Sequence, residues 1–594
     1  MENAHPQGKC KFSIMVLSSL RRLLPWLAPA VFLGLFFFIP LARILALGLD
    51  FSFLSGFTQW KVPISSVFLP RVFNVLGFTF TQAALSTLLT LVLGLPLAYL
   101  FARFEFPSKA IFRALTAIPF MLPTVVVAAG FTALLGPRGW INLALMAVLR
   151  LDQPPVVFVG TLTAILVAHV FYNATIVIRI VGNAWAGMEP RLQDAARTLG
   201  ASPFKTLLHI TLPLLRPAIF AASLLVFLFD FTSYGVILLL GGPRFATLEV
   251  EVYIQALQML NLPAASLLSV VQLLCTLGFS AIYSRYISSV TAVIRPRAAW
   301  QNAQKPRGLR QRIVVTGLLL VLVSFFLLPL LALPLRSISR LEADRASTVV
   351  SAPGLTLDFY RELFINRRDS IFYVPPFLAL RNSLAYAGVT VCLSMLLGFP
   401  AAAALARPGK LEKWLDPLLM LPLGASSVTL GLGYLLTFNH TLLPPGWLPE
   451  SVNLNLLTSP VLVPLAHTTI ALPFVIRSLQ AALAQIPERY HEAAAVLGAS
   501  RLQIWLNVVW PIISRPAIAA GAFAFTISLG EFGAASLLVR PDYPTLPTAI
   551  YRFLSQPGAL NYGQAMSMAT ILMLVCGLGI LVIEGLRLPG TGDF

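Results

Sequence analysis

Long apolar runs recur along the whole chain and constrain its fold more than any other feature. Twelve segments meet or approach the roughly 20 apolar residues that an α-helix needs to cross a hydrocarbon core about 30 Å thick. These segments are 24–48, 76–102, 111–136, 158–183, 217–241, 263–284, 313–335, 382–406, 414–438, 459–482, 517–539 and 564–586. Hydrophobic residues make up 57% of the chain and charged residues only 11%, too few to cover a soluble globule. The sequence therefore predicts an all-α, polytopic protein of about 12 transmembrane helices in a lipid bilayer.

The basic residues lie in short gaps between the apolar runs, and this placement predicts the orientation of the helices. Lys and Arg gather in alternate gaps, as expected on the cytoplasmic side of a membrane. We therefore expect a multi-pass protein of the bacterial inner (cytoplasmic) membrane with both termini in the cytoplasm. Because the net charge of +19 is dispersed in this way, with no basic soluble domain, we expect no nucleic-acid binding.

A polar, basic and proline-containing segment divides the chain into two units of six apolar segments each. The predicted organisation is a cytoplasmic N-terminus at 1–22, a first transmembrane unit at 23–285, a cytoplasmic linker at 286–312, a second transmembrane unit at 313–587 and a C-terminal tail at 588–594. Since six is even, both units enter the membrane in the same sense.

The two units are internal repeats. His169 and Arg179 recur as His467 and Arg477, each 298 residues further along the chain (467 − 169 and 477 − 179). The stretch "TLEVEVY" that begins at Thr247 recurs at the same offset as "TLPTAIY". Ordered matches of this kind indicate a duplication, whereas single matches among apolar residues would not. No further metal ligand lies near either histidine, so we expect both to be packed and hydrogen-bonded within the core.

Between the fourth and fifth apolar segments of each unit lies a polar loop, at about 186–217 and 484–516. Each pattern predicts a short helix with an acidic residue in its first turn, paired alanines that let another surface approach, a glycine break, and a proline where the chain returns to the bilayer. The residues are Asp194, Ala195, Ala196, Gly200 and Pro213 in the first loop and Glu492, Ala493, Ala494, Gly498 and Pro511 in the second. One such loop could equally be an interfacial helix pair that closes a bundle, but two at matching positions favour a docking element.

The two loops resemble the EAA loop of ABC importer permeases, which docks into a cleft of the cytoplasmic ATPase. Asp194 replaces the glutamate of the motif and keeps its charge, and Trp510 replaces the leucine before the second proline. The resemblance covers nearly the whole chain as two tandem type I permease units. It implies two copies of a separate cytoplasmic ABC ATPase subunit, one on each loop, and a separate extracytoplasmic solute-binding protein.

Several motifs are absent from the sequence, and their absence agrees with this resemblance. No GxxxxGK[ST] stretch is present to bind nucleotide phosphates, and no polar segment is long enough for a nucleotide-binding domain. No nucleophile–base or metal-ligand cluster appears, so we expect no enzyme activity, no metal and no cofactor bound by this chain, with ATP used by the partner subunit. The alternative is a secondary transporter with parallel six-helix repeats, which would need broken helices for coupling ions and would gain nothing from paired cytoplasmic loops.

Other segments narrow the resemblance to the thiamine and ferric-iron group of fused, two-unit permeases. The stretches "LVAHVFYNATIVIR" and "LLGGPRFATLEVEVYIQAL" are similar to thiamine permeases, whereas "SLGEFGAASLLV" is similar to both branches. The resemblance implies thiamine first and ferric iron second as the transported solute, with phosphonates, polyamines and other small solutes still open.

Two carboxylates lie within the fifth apolar segments, and ionisable residues at membrane depth indicate a function by default. Asp230 and Glu531 are each followed by a phenylalanine, Phe231 and Phe532. If the units pack around a pseudo-two-fold axis along the membrane normal, we expect the carboxylates to face one another across the pathway as a cation-attracting or gating pair. The alternative is hydrogen bonding within the bundle or a structural contact between the units.

Overall fold

The protein is described by a computed structural model over residues 25–50, 64–242, 244–290, 304–306, 308–340, 354–365, 375–406, 409–439 and 456–586. The predicted N-terminus 1–22, most of the linker 286–312 and the tail 588–594 lie outside these residues. The described chain is almost entirely helical, which confirms the predicted all-α fold.

The first unit is built from long helices that follow its apolar segments, with shorter ones between them. They are α1 Pro25–Gly48, α2 Ile64–Arg103, α3 Lys109–Met121, α4 Thr124–Leu135, α5 Trp140–Leu149, α6 Leu162–Ala186, α7 Pro190–Thr198, α8 Pro203–Phe231, α9 Leu248–Tyr253 and α10 Leu262–Val290. Turns of π-helix lie within α1 and α8, at Gly34–Phe38 and Leu207–Thr211, and follow α8 and α9, at Ile237–Gly241 and Ile254–Gln258.

The second unit repeats this order. Its helices are α11 Leu309–Ser337, α12 Asp358–Arg361, α13 Pro376–Leu405, α14 Lys410–Met420, α15 Ser427–Phe438, α16 Leu462–Ala484, α17 Glu488–Val496, α18 Arg501–Gly530, α19 Gly533–Leu538, α20 Leu546–Leu554 and α21 Ala559–Leu586. Strands β1 Ser339–Arg340 and β2 Gly354–Leu355 pair antiparallel after α11. Turns of 3-10 helix occur at Glu362–Phe364, Leu421–Gly424 and Leu456–Thr458, and a π turn at Trp505–Val509 lies within α18.

The prediction of about twelve spans is confirmed, but the third span of the second unit is broken, and that of the first unit lies at Thr124–Leu149 instead of the predicted 111–136. Within the described residues, eleven helices are long and apolar enough to cross a membrane, and a bent pair makes a twelfth. That pair joins Leu411–Gly424 to Ser427–Phe438 at an angle of 97°. In the first unit the corresponding break lies between α3 and α4, where Leu122 and Pro123 have extended backbone. Prolines favour both breaks because they lack the N–H that a continuous helix needs.

The fifth helix of each unit begins and ends earlier than the sequence predicts. Apolar composition places these spans at 217–241 and 517–539, whereas α8 and α18 end at Phe231 and Gly530. Apolar residues continue beyond both ends, so hydropathy alone does not detect the break. Polar side chains occupy it instead, since the Thr232 hydroxyl donates to the carbonyl oxygen of Leu228 at 3.0 Å.

The first helix of each unit packs against the other unit. Helix α1 contacts α15, and helix α11 contacts α4. A glycine lies in each contact: a Cβ added to Gly433 would lie 2.9 Å from the Cβ of Pro40, and one added to Gly130 would lie 2.9 Å from the carbonyl oxygen of Pro329. Small residues permit this approach of membrane helices. This reciprocal exchange of first helices joins the two units.

Candidate functional site

The first loop contains the nine-residue helix α7 followed by a sharp turn. The turn is made by Gly200, whose φ of +85° lies in the left-handed region that favours glycine. Its geometry satisfies the free carbonyl groups at the helix end, because the Ala201 amide donates to the oxygen of Ala196 at 3.0 Å. Helix α8 then begins at once, with the Ser202 hydroxyl accepting from the Lys205 amide at 3.3 Å.

The second loop has the same geometry. Helix α17 ends at Gly498, whose φ is +80°, and the Ala499 amide donates to the oxygen of Ala494 at 3.1 Å. The next helix begins with a capping box, in which the Ser500 amide donates to the Gln503 side chain at 2.8 Å and the Gln503 amide donates to the Ser500 hydroxyl at 3.3 Å. The duplicated sequence therefore produces a duplicated helix–turn–helix.

Two details of the predicted loops are wrong. Asp194 and Glu492 are each the fifth residue of a nine-residue helix, outside the first turn, so the N-terminal helix dipole does not explain them. Pro213 and Pro511 do not mark the return to the bilayer either, because α8 and α18 are continuous from Pro203 and Arg501 onwards. A π turn directly precedes the first helical turn that contains each proline.

Large apolar side chains are exposed on both loops, a feature that the sequence patterns above do not identify. Leu199 and Leu497, 298 residues apart, leave 89% and 87% of their surface exposed. Further exposed apolar residues also occur in pairs at this offset. The three pairs nearest the glycine turns, here named the exposed apolar faces, are Leu192, Leu199 and Phe204 on the first loop and Tyr490, Leu497 and Leu502 on the second. Of the paired alanines, Ala195 and Ala493 are exposed, Ala196 is buried and Ala494 is half-buried.

Asp230, in the last turn of α8, lies in a buried polar cluster of the first unit. Its Oδ1 accepts a hydrogen bond from Asn173 at 2.7 Å and lies 3.4 Å from Nδ1 of His169. The Gln82 side chain donates to its backbone oxygen at 2.8 Å. On the opposite edge of the ring, Nε2 of His169 hydrogen-bonds with the Ser233 hydroxyl at 2.8 Å. A buried carboxylate needs such partners, because desolvation is otherwise costly.

Glu531, directly after α18, lies in the corresponding cluster of the second unit. Its two carboxylate oxygens accept from the backbone amides of Ala534 and Ala535 at 2.9 Å each, at the start of α19. One of these oxygens lies 3.4 Å from Nε2 of His467. The Nδ1 atom of the same ring hydrogen-bonds with the Ser528 hydroxyl at 2.8 Å. Each carboxylate therefore has its partners within its own unit, as the alternative interpretation describes.

The two carboxylates occupy different positions of the repeat. At the offset of 298, Asp230 corresponds to Ser528, and Ser233 corresponds to Glu531. The histidine of each unit thus has a carboxylate near one ring nitrogen and one of these serine hydroxyls near the other, on exchanged sides of the ring, and Nδ1 of His169 also hydrogen-bonds with the Ser86 hydroxyl at 3.1 Å. This exchange could have been predicted from the sequence, because the offset of 298 pairs each carboxylate with a serine. Among the described residues, no group of three His, Cys, Asp or Glu could hold a metal ion.

The phenylalanines that follow the carboxylates also differ in position. Phe231 is buried in a ring cluster within the first unit, formed with Phe80, Phe227 and Phe279. Phe532 instead stacks on Tyr234 of the other unit, with ring centroids 5.5 Å apart. Of the two phenylalanines, Phe532 therefore has the ring contact that joins the units.

The chain belongs to the family of binding-protein-dependent transport system inner membrane components. The sequence profile of this family matches residues 91–291 and 394–586, one match in each unit. Each match includes the loop and the buried histidine cluster of its unit. The chain is therefore the membrane-spanning permease of a binding-protein-dependent importer, and the alternative of a secondary transporter is set aside.

Individual relatives match along most of their length. The chain is 28% identical to the thiamine transport system permease protein ThiP of Escherichia coli strain K12 over 530 residues, which cover 87% of this chain and 89% of the relative. It is 28% identical to ThiP of Brucella abortus strain 2308, over 85% and 86% of the two chains. It is 26% identical to a probable ABC transporter permease protein, y4fN, of Sinorhizobium fredii, over 88% and 89%.

Proposed function

We propose that this permease imports thiamine across the bacterial inner membrane, with both of its termini in the cytoplasm. Support comes from the two-unit organisation shared with relatives named as thiamine permeases, over at least 85% of both chains. A separate extracytoplasmic solute-binding protein delivers the solute, and two copies of a separate cytoplasmic ABC ATPase subunit supply the energy. This chain binds no cofactor and hydrolyses no ATP itself.

The observation that carries the proposed coupling is the pair of exposed apolar faces at equal positions of both units. Exposed apolar side chains gathered on one surface are characteristic of sites that bind another protein. Asp194 and Glu492 lie exposed beside them, and Arg197 lies 4.0 Å from Asp194, so charged groups border the apolar side chains. Each loop docks one ATPase subunit, so a single copy of the chain supplies both docking sites and needs no second permease.

The proposed cycle uses the continuity of α8 and α18. Each loop leads without a break into the fifth helix of its unit, whose far end adjoins a buried carboxylate. ATP brings the two ATPase subunits together, and the helices carry this movement to Asp230 and Glu531. Those carboxylates, with Phe231 and Phe532, form the gating region between outward-open and inward-open states. Hydrolysis reverses the movement and releases the solute inward.

The test is uptake by proteoliposomes that contain the permease, the ATPase and the solute-binding protein. We expect ATP-dependent accumulation of labelled thiamine and none of ferric iron. Accumulation of iron without thiamine would assign the other solute of the group. Glu492→Arg reverses the charge of one exposed loop, so we expect uptake to fall while the fold is retained. Unchanged uptake in both Glu492→Arg and Gly498→Trp would contradict the docking role.

A further inference from the structure

Four aromatic rings meet where the two units contact each other. Tyr234 stacks on Phe532 with ring centroids 5.5 Å apart. Tyr253 lies 5.7 Å from Tyr234, and Tyr551 lies 5.5 Å from Phe532. The Tyr234 hydroxyl also donates across the boundary to the hydroxyl of Ser536 at 3.0 Å. We name Tyr234, Tyr253, Phe532 and Tyr551 the four-ring cluster.

The four-ring cluster consists of two pairs of equivalent residues, and each unit contributes one residue to each pair. Tyr234 and Phe532 are 298 residues apart, and so are Tyr253 and Tyr551. Each unit therefore contributes one ring after its fifth span and one ring from α9 or α20. Tyr234 and Phe532 are buried. Equivalent rings of the two units therefore meet where the units contact each other, and transporters built from repeats place their solute sites at this kind of boundary.

The cluster lies at membrane depth. Fifteen residues separate Arg216, near the start of the fifth apolar segment, from Phe231 at the end of α8. At 1.5 Å per residue this distance is about 22 Å, most of a hydrocarbon core that is about 30 Å thick. A solute that passes between the units at this depth meets these aromatic rings.

We propose that the four-ring cluster is the permease's own recognition site for organic cations, closed in this structure by ring-on-ring contact and opened when the units separate. The inference rests on the proposed function, since the thiazolium ring of thiamine carries a permanent positive charge. Aromatic faces attract such a charge through their quadrupole, and the attraction is strongest where water is excluded. Glu531, adjacent to Phe532, adds a buried carboxyl group beside the cluster.

The test varies the ring quadrupole while the ring size stays nearly constant. Tyr551→Phe is the reference, and phenylalanines with one, two and three fluorine atoms are then incorporated at the same position. We expect the rate of ATP-dependent thiamine uptake to fall stepwise, by about tenfold over the series. ATP hydrolysis stimulated by the loaded binding protein should stay unchanged, because the loops are untouched. A parallel series at Phe158, a buried ring of the first unit that stacks on Phe131 with ring centroids 5.9 Å apart, should leave uptake unchanged.

The possible results separate the two proposals. A wild-type complex that accumulates no thiamine overturns the proposed function and this inference together. If the wild type takes up thiamine normally and the uptake rate does not change across the fluorinated series at Tyr551, this inference is overturned and the proposed function stands. An equal decline at Tyr551 and Phe158 also overturns it, because the effect would then be one of packing. Tyr551→Leu, which removes the ring, should lower uptake at least as far as the last fluorinated variant.

Discussion

The histidine clusters of the two units contain the same chemical groups in a different order. In the first unit the carboxylate of Asp230 lies against Nδ1 of His169 and is held by a side chain, that of Asn173. In the second unit the carboxylate of Glu531 lies against Nε2 of His467 and is held by two backbone amides. Both units keep a buried histidine with an acid and a serine hydroxyl on opposite edges of the ring, and the acid lies on the other edge in the second unit. His169 has the Ser86 hydroxyl as a further partner at 3.1 Å.

This difference shows which part of the site the fold requires. A buried histidine that links the fourth span to the end of the fifth is present in both units, so the scaffold depends on it. The position of the charge is not fixed by the scaffold. Since a carboxylate held by backbone amides caps the helix that follows it, the second acid has a structural role that the first does not share.

The largest effect should come from removing the backbone-held acid. Glu531→Ala leaves two buried amides at the start of α19 without an acceptor, so we expect a loss of about 3 kcal/mol in the free energy of unfolding. Asp230→Ala is the matched variant and should cost about 1–2 kcal/mol, because one side-chain donor loses its partner. Denaturant unfolding of the purified protein in detergent measures both. Equal losses would contradict the distinction between the two clusters.

A second experiment places the acid of the second unit in the first. Ser233→Glu alone puts two carboxylates against the one His169 ring, so we expect a loss of about 2 kcal/mol. Adding Asp230→Ser recreates the order of the second unit and should bring the stability back to within about 1 kcal/mol of wild type. The coupling between the two changes is read from the double-mutant cycle. Simple additivity would show that the clusters are not interchangeable.

Replacing the glycine at the turn of either loop should lower the free energy of unfolding by the same amount in both units. A Cβ added to Gly200 or Gly498 meets nothing within 4 Å, so only the positive φ opposes a side chain. We expect Gly200→Ala and Gly498→Ala each to cost about 1 kcal/mol. Asparagine at either position should cost less, because it tolerates the left-handed region better. A clear difference between the units would reveal contacts that the symmetry of the loops conceals.

Substitutions in the exposed apolar faces should have the smallest effect on the free energy of unfolding. They should have a large effect on the coupling between the loaded binding protein and ATP hydrolysis. Leu199→Ser and Leu497→Ser alter side chains that are 89% and 87% exposed, so unfolding should change by less than about 0.5 kcal/mol. ATP hydrolysis that depends on the loaded binding protein should nevertheless fall in both. The exposed Leu309, at the start of α11, serves as a control at which serine should leave both quantities unchanged. A loss of coupling in only one loop would break the symmetry proposed for docking.

The apolar pattern was sufficient to predict the fold, because a bilayer requires about 20 apolar residues per helix and the chain has no other use for so many. It could not predict the breaks at Phe231 and Gly530, since apolar residues continue past both. There the helix ends because polar groups such as Glu531 bind the backbone that follows. Hydropathy averages over a window and does not register a single buried acceptor.

For the candidate site, the offset of 298 between the units identified equivalent positions better than the similarity of residue types did. Pairing Asp230 with Glu531 follows the similarity of two acids, whereas the offset of 298 pairs each acid with a serine. The same offset identifies Tyr253 and Tyr551 as equivalent rings. Which side chains remain exposed on the loops depends on how α7 and α17 pack, and no sequence pattern gives that directly.

The reciprocal exchange of first helices bears on how the protein is made. Pro40, on α1, contacts Gly433, which leaves the ribosome 393 residues later (433 − 40). At a synthesis rate of about 5–20 residues per second, α1 is in the membrane for about 20–80 s before α15 has been synthesised. During that time the surface of α1 that packs against α15 in the folded protein is not yet covered by that helix. The contact between α1 and α15 therefore forms late in the synthesis of this chain, and crosslinking of residue 40 to residue 433 in arrested nascent chains would time it.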